Sequence, residues 1–137
     1  MPTKKICLLL RVKELKNVAE HNDFGKAGEE IARNYLIKNS YRIIEYNWRT
    51  GKLELDIIAE NENFIVFVEV KTRHSRIVEE PESSVNKKKQ KQIIKAADIY
   101  LRINDINTEA RFDIISILIE KNNININHIK DAFYPTL

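Results

Sequence analysis

A chain of 137 residues with 43% hydrophobic residues can bury the core of one domain, and this apolar fraction argues against global disorder. Its net charge of +3 alone indicates no particular class of partner. The single cysteine, Cys7, excludes an internal disulfide and a cysteine-rich zinc site and is typical of a reducing, cytoplasmic setting. The apolar run at residues 6–10 is shorter than a signal-peptide core, and no segment approaches the roughly 18 apolar residues of a membrane span.

The chain is predicted to have an N-terminal extension, residues 1–20, followed by a single domain, residues 21–137. Apolar residues recur at helical spacing in the extension, which fits either an accessory helix or a loose arm. Cap-type residues at 21–23 then predict a helix that runs to about Lys38.

Strands and a second helix are predicted in the rest of the domain. An exposed loop containing Pro81 is expected over 72–84, and a helix from about Ser84 to Arg102. The link between the second and third strands is so short that it predicts an antiparallel hairpin. The element order indicates an α/β domain with a central mixed sheet covered by helices. The five predicted strands are 41–47, 53–59, 64–71, 111–119 and 124–129.

The predicted hairpin carries charges on two strands that are otherwise apolar enough to be buried. Side chains at i and i+2 share a face of a strand, so Glu54 should lie beside Asp56, and Glu69 beside Lys71. Two like charges about 4 Å apart repel by roughly 4 kcal/mol at an effective dielectric constant of about 20. Carboxylates kept together in this way indicate a hard divalent cation with oxygen ligands, Mg²⁺ before Ca²⁺.

Two interpretations of the hairpin charges remain open from spacing alone. In the first, Asp56 and Glu69 bind a metal while Lys71 positions or deprotonates a water, or stabilises a phosphate, as metal-assisted phosphodiester cleavage requires. In the second, this face of the sheet is close to solvent and its Glu and Lys side chains form weak cross-strand pairs.

The first helix offers one more carboxylate. At 100° per residue, Glu29 falls at the border of the apolar stripe and can reach inward, whereas Glu30 points toward solvent. The alternative is an acidic residue placed in the first turn of a helix because the helix dipole favours it there.

A basic patch is predicted around the second helix. Residues 71–95 contain eight Lys or Arg residues, among them Lys87 and Lys88, and only three Glu residues. Lys89 lies inside the apolar stripe of the helix and Gln90 near its edge, so Lys89 either contacts a bound phosphate or extends past the stripe to solvent. Such a patch beside a carboxylate site suits a polyanionic substrate, although a solvated helix face explains it equally well.

Other polar and aromatic positions allow weaker predictions. Trp48 and Arg49 precede the hairpin and are placed to stack on a base or contact a phosphate, while Trp48 fits core packing at least as well. An Arg111–Asp113 pair at the start of a strand reads as structural. His128 is interpreted as a polar residue of an edge strand and not as a metal ligand.

A series of short motifs also occurs in a fixed order between residues 24 and 134. The motifs are Gly25-Lys-Ala-Gly28-Glu29-Glu-Ile-Ala32, Tyr35-Leu36, Asn47-Trp-Arg49, Glu54-Leu-Asp56-Ile-Ile-Ala59, Val66-Phe-Val-Glu69-Val-Lys71-Thr-Arg73, Pro81, Val85, Lys89-Gln90, Ala97, Tyr100-Leu101, Arg111-Phe-Asp113 and His128-Ile-x-x-Ala132-Phe133. Taken together, the series resembles the YraN family of small bacterial proteins, with Leu53 in place of the usual Gly before the first hairpin carboxylate.

That family is similar to the PD-(D/E)XK nuclease superfamily and, within it, to archaeal Holliday-junction resolvases. The likeness implies a restriction-endonuclease-like fold, a catalytic motif at Asp56, Glu69 and Lys71, and a metal-supporting helix carboxylate at Glu29. Leu55, directly before Asp56, occupies the position of the proline in the motif PD-(D/E)XK. Because resolvases act as dimers, the likeness also implies a possible homodimer.

The leading functional hypothesis is a nuclease dependent on Mg²⁺ or Mn²⁺ that acts on structured or branched DNA. Asp56, Glu69 and Glu29, with Glu54 beside them, would hold the metal. The phosphate contacts would come from Arg49, Arg73 and Lys89, together with Lys87, Lys88 and Gln90 in the basic patch. The alternatives are a module that binds nucleic acid or a partner protein without cleaving, and a nuclease that cleaves RNA.

Overall fold

The computed structural model describes residues 21–74 and 85–136, apart from the side chains of residues 21–23. The predictions for residues 1–20 and for the loop around Pro81 lie outside these ranges. Neither helix in the described ranges is long and apolar enough to cross a membrane. The elements are α1 (His21–Lys38), β1 (Arg42–Thr50), β2 (Leu53–Glu60), β3 (Ile65–Arg73), α2 (Lys87–Ile103), β4 (Ala110–Glu120) and β5 (Asn123–Phe133).

The order of the elements matches the sequence-based expectation, but several boundaries differ. The second helix begins at Lys87 instead of Ser84, because Asn86 caps it and accepts a hydrogen bond from Lys89 N–H at 2.9 Å. The third strand continues to Arg73, so the predicted loop starts too early. The last strand reaches Phe133, four residues beyond its predicted end.

The five strands form one mixed sheet in the order β1-β2-β3-β4-β5. The pairs β1–β2, β2–β3 and β4–β5 are antiparallel, which confirms the predicted hairpin, and β3 pairs with β4 in parallel. Helix α2 supplies the crossover between the parallel strands. The protein is therefore an α/β domain with a five-stranded mixed sheet and two flanking helices, consistent with a restriction-endonuclease-like fold.

The two helices pack on opposite faces of the sheet and define two layers of core. Between α1 and the sheet lies the α1-side cluster, which includes Ala32, Leu36, Ile57, Val68, Ile115 and Ile117. Between α2 and the sheet lies the α2-side cluster, which includes Leu55, Ile58, Phe67, Ile93, Ala97, Tyr100 and Ile114.

Helix α1 approaches β3 closely at Gly28. A Cβ atom built on Gly28 would overlap Thr72 Oγ1 and lie 2.8 Å from Thr72 Cβ, closer than real Cβ contacts. Gly25, in the same helix, has nothing within 4 Å of such a Cβ. The missing side chain of Gly28 therefore allows α1 to contact β3, which brings the following residue, Glu29, toward the sheet.

A buried polar network ties β4 to β5 and α1. Asp113 is completely buried and accepts hydrogen bonds from Arg111 at 2.7 and 2.8 Å, which confirms the predicted structural pair. His128 Nε2 lies 2.7 Å from Asp113, and His128 Nδ1 lies 3.1 Å from the Tyr35 hydroxyl. Burial would raise the pKa of Asp113, but hydrogen bonds from His128 and Arg111 hold that pKa below its usual value.

Substitution of the two helical glycines should have opposite effects on stability. Gly28→Ala forces a methyl group against Thr72, and we expect it to lower the free energy of unfolding by about 1–3 kcal/mol. Gly25→Ala meets no neighbour and should raise it by roughly 0.5–1 kcal/mol, because alanine loses less backbone entropy in a helix. Urea denaturation measures both changes, and equal effects of the two variants would contradict the close approach.

Candidate functional site

The candidate site lies where β2 and β3 separate. The paired register of these strands ends at Ile57 and Val68, one residue before Asp56 and Glu69. The two carboxyl groups are buried and hydrogen-bonded to each other. Beyond them, Asp56 Oδ2 accepts the backbone N–H of Val70 at 2.9 Å. The side chain of Asp56 thus provides the acceptor that a backbone carbonyl of β2 would otherwise supply.

The two-residue alternation of β2 breaks at Asp56. Leu55 packs in the α2-side cluster, but Ile57, two residues later, packs in the α1-side cluster and not on the same side as Leu55. Ordinary alternation resumes with Ile58 on the α2 side. The strict alternation used to place Glu54 and Asp56 on one face therefore does not hold through this segment. The break lets the Asp56 carboxylate reach β3 while its charge still interacts with Glu54.

Burial controls the protonation of the pair. Desolvation raises the pKa of Glu69 to about 8, and the negative charge of Asp56 adds to this effect. Desolvation also raises the pKa of Asp56, against the opposing effect of the Val70 N–H group. A hydrogen bond between two carboxyl groups requires one of them to be protonated, and burial raises the pKa of both, so the pair shares one proton.

Two lysines from different elements interact electrostatically with Glu69. Lys89 Nζ on α2 lies 3.6 Å from Glu69 Oε1, with 34% of the lysine side chain exposed. Lys71, two residues further along β3, is half-buried, and its charge lowers the pKa of Glu69. Lys89 therefore reaches the carboxylates across the α2-side layer, so it is not simply a lysine extending to solvent.

Glu29 approaches Asp56 from the helix on the other face of the sheet. It is half-buried, and desolvation together with the charge of Asp56 raises its pKa to about 6. The charge of Glu54 acts in the same direction, against Arg33 and Lys26. The helical-wheel argument that directed Glu29 inward is consistent with this position, whereas Glu54 is exposed and pairs with Arg49 at 3.4 Å.

The other proposed phosphate contacts occupy different environments. Lys87 and Lys88 are exposed in the first turn of α2, and Arg73 is half-buried near the end of β3. Gln90 is committed to the backbone, since its Nε2 donates to the carbonyl of Val85 at 2.9 Å. Trp48 packs edge-on against Tyr100 at 5.2 Å within the α2-side layer, which favours its role in the core over base stacking.

A shallow groove runs along the exposed side of α2. It has a volume of about 500 Å³ and begins at Leu53, next to the hairpin carboxylates. Its other lining residues are Lys88, Lys91, Gln92 and Lys95. The predicted basic patch is therefore an open surface, and its concentrated positive charge suits an extended anion.

The ligand set of the site is small. Within residues 21–74 and 85–136, no group of three or more His, Cys, Asp or Glu side chains is arranged to hold a metal ion. Two adjacent carboxyl groups, Asp56 and Glu69, provide hard oxygen donors, and Mg²⁺ is commonly held by one or two carboxylates with waters completing its shell.

Sequence reasoning missed the network around Asp113 as a whole. The Arg111–Asp113 spacing indicated one pair, but Tyr35, Tyr41 and His128 come from elements far apart in the chain. Tyr41 accepts a hydrogen bond from Arg111 at 2.7 Å. Only the pairing of β4 with β5 and the packing of α1 bring these residues together.

The fold and the buried carboxyl pair define an α/β protein with a candidate acid–base and metal-ligand site. A family model described as "Uncharacterised protein family UPF0102" matches residues 28–117. The chain belongs to this family, which is also the YraN family that the motifs indicated.

Two bacterial relatives align with this chain over nearly their whole length. A UPF0102 protein of Bacteroides thetaiotaomicron is 48% identical over 120 residues, which span 88% of this chain and 99% of the relative. A UPF0102 protein of Flavobacterium psychrophilum is 45% identical over 117 residues, which span 85% and 98%.

A solved structure, SfsA of Pyrococcus furiosus in complex with Ca²⁺, shows a weaker similarity. It is 18% identical with a TM-score of 0.33, and the match covers 77% of this chain and 62% of SfsA. At that score the similarity carries no argument about this protein.

The protonated pair predicts a particular dependence of stability on pH. The folded chain holds a proton on Glu69 up to a pKa of about 8, whereas the ordinary pKa is 4.5. Stability should therefore fall as the pH rises between these values. Glu29, with its pKa of about 6, contributes little to the pH dependence of stability above pH 6. In that range, Glu69→Gln should reduce the loss of stability with rising pH. Denaturant unfolding between pH 6 and about 9 measures the slope.

The control for this prediction is Glu62→Gln, an exposed position in the β2–β3 turn. It should keep the slope of the wild-type protein. A slope that is the same in all three proteins would contradict a buried, proton-holding Glu69.

Proposed function

We propose that this protein is a metal-dependent nuclease that hydrolyses phosphodiester bonds in structured or branched DNA. The observation that carries the proposal is the buried, hydrogen-bonded pair of Asp56 and Glu69, with Lys89 Nζ 3.6 Å from Glu69 and the charge of Lys71 acting on it. A fold needs no such pair for stability, because burying carboxyl groups costs free energy unless they are compensated.

The residues present fit a hard divalent cation, Mg²⁺ or Mn²⁺. Asp56 and Glu69 supply adjacent carboxylate oxygens, and Glu29 and Glu54 add negative charge to the same region. When bound, such an ion would neutralise phosphate charge and lower the pKa of a bound water. Because the pair shares one proton without a cation, binding of the ion requires Glu69 to release that proton.

The lysines take roles that match their positions. Lys71 lies on the same strand as Glu69, and its ammonium group would orient an attacking water and stabilise negative charge on the phosphate. Lys89 balances the one negative charge left on the Asp56–Glu69 pair in the free protein, and a cation bound by the pair would release the lysine to contact a substrate phosphate. The groove with Lys88, Lys91 and Lys95 continues that positive charge along α2 and is suited to the phosphates that flank the cleaved bond.

A second function is favoured by one specific observation, the small number of candidate ligands. Since no three metal-binding side chains are grouped in the described residues, a module that binds nucleic acid or a partner protein without cleaving is the main alternative. Such a module would bind nucleic acid with an affinity that falls with salt, and would form no metal-dependent product.

The cleavage hypothesis is tested with the full-length protein on duplex, single-stranded, flap and four-way DNA, and on RNA, with Mg²⁺, Mn²⁺ or a chelator. We expect cleavage of branched DNA only with metal. Asp56→Asn and Lys71→Ala should each lower the cleavage rate by about 100-fold or more, because they remove a metal ligand and the water-directed lysine.

Matched control variants are Asp98→Asn and Lys130→Ala. Both residues are exposed, on α2 and at the end of β5, and these variants should cleave at the wild-type rate. Cleavage that survives Asp56→Asn would overturn the assignment, and salt-sensitive binding without any product would favour the non-catalytic alternative.

A further inference from the structure

The sheet has two outer strands, and they differ sharply in composition. One of them, β1, carries exposed charges at Arg42, Glu45 and Arg49, and its register shifts between Ile43 and Glu45. Charged side chains and irregular register are the features by which proteins prevent another strand from pairing with an edge. The outer edge of β1 is therefore protected.

The other outer strand, β5, has such features only toward its end, where its register with β4 shifts between Phe112 and Ile114. Residues 122–129 have the sequence Asn-Asn-Ile-Asn-Ile-Asn-His-Ile, without an Asp, Glu, Lys, Arg, Pro or Gly. Lys130 and the left-handed Asp131, with φ 53°, follow only after this run. Within the part of the chain that the structure describes, β5 pairs with β4 and with no further strand.

We propose that β5 of one molecule pairs with β5 of a second copy of this chain in a two-fold symmetric dimer. The uncharged residues 123–129 of this edge strand offer a row of backbone donors and acceptors that another strand can satisfy. Antiparallel pairing of identical strands is self-complementary, as a two-fold interface requires. Such a dimer is independent of whether the carboxylate site cleaves a substrate.

The side chains of β5 fit a register centred on Ile126. This isoleucine is 38% exposed, and in such a register it would lie opposite Ile126 of the second copy. Asn125 would lie opposite Asn127 of the second copy on the other face, where both side chains are exposed. The central part of the interface would therefore combine an apolar pair with amide pairs and bring no like charges together.

Pairing of this kind also fixes the relative position of the two candidate sites. Antiparallel strands in one continuous sheet are related by an axis perpendicular to the sheet, so both α2-side faces would lie on the same side. Glu69 is level with Ile114, which is level with Ile129 of β5. Strand spacing and rise per residue then place the two Glu69 positions about 30 Å apart. One long anionic ligand could contact both sites.

The oligomeric state tests this proposal directly. Light scattering coupled to gel filtration should give a mass twice the 16.1 kDa of the chain for the wild-type protein. Ile126→Lys should yield monomers, because two lysines would meet at the centre of the interface. Ile103→Lys is the matched control, since Ile103 on α2 is also exposed, and this variant should remain dimeric.

Charge exchange tests the register itself. A variant with Asn125→Lys and Asn127→Lys should be monomeric, and so should a variant with Asn125→Asp and Asn127→Asp. An equimolar mixture of the two should form heterodimers, because each lysine then faces an aspartate. A monomeric wild-type protein, a dimeric Ile126→Lys variant, or a mixture that stays monomeric would overturn the proposal.

Discussion

Asp56 and Glu69 place two carboxyl groups side by side in the interior, where β2 and β3 separate. Two charged carboxylates cannot remain there without compensation, because desolvation and mutual repulsion both oppose ionisation. The free chain meets this constraint with a shared proton and with Lys89, whose Nζ lies 3.6 Å from Glu69. A divalent cation would meet the same constraint by replacing the proton. Under the proposed function, the site would therefore have two ways of balancing its charge, and exchange between them would link metal, pH and substrate phosphate.

The rest of the fold holds the carboxyl groups in this position. Gly28 lets α1 contact β3 at Thr72, which brings Glu29 within electrostatic reach of Asp56. The parallel β3–β4 pair places Glu69 in the middle of the sheet, level with Ile114. At the neighbouring position of β4, the buried network around Asp113 fixes the edge strand β5 through His128. A buried pair needs such fixed surroundings, because any loosening admits water and removes the pKa shifts on which its chemistry depends.

Much of this arrangement could be predicted from the sequence, and the remainder has a physical explanation. The short link between two apolar runs indicated the β2–β3 hairpin, and helical periodicity directed Glu29 inward. Local patterns could not reveal the break in alternation at Asp56, because it depends on how Val70 and the α2-side cluster pack around it. For the same reason, the sequence indicated that Lys89 was unusual but not which carboxylate it faces. The network around Asp113 includes the contact of Tyr35 with His128, which are 93 positions apart, a distance at which spacing carries no information.

The central claim is that Asp56 and Glu69 hold one proton between them and give it up to a divalent cation. Carbon-13 NMR of the two carboxyl groups, assigned with the Asp56→Asn and Glu69→Gln variants, follows that proton during a pH titration with and without Mg²⁺. Without metal, the Glu69 carboxyl should titrate with a pKa of about 8, and saturating Mg²⁺ should move its titration to lower pH. Titration of each group near its ordinary value, 3.8 for Asp56 and 4.5 for Glu69, or a curve that Mg²⁺ leaves unchanged, would contradict this account.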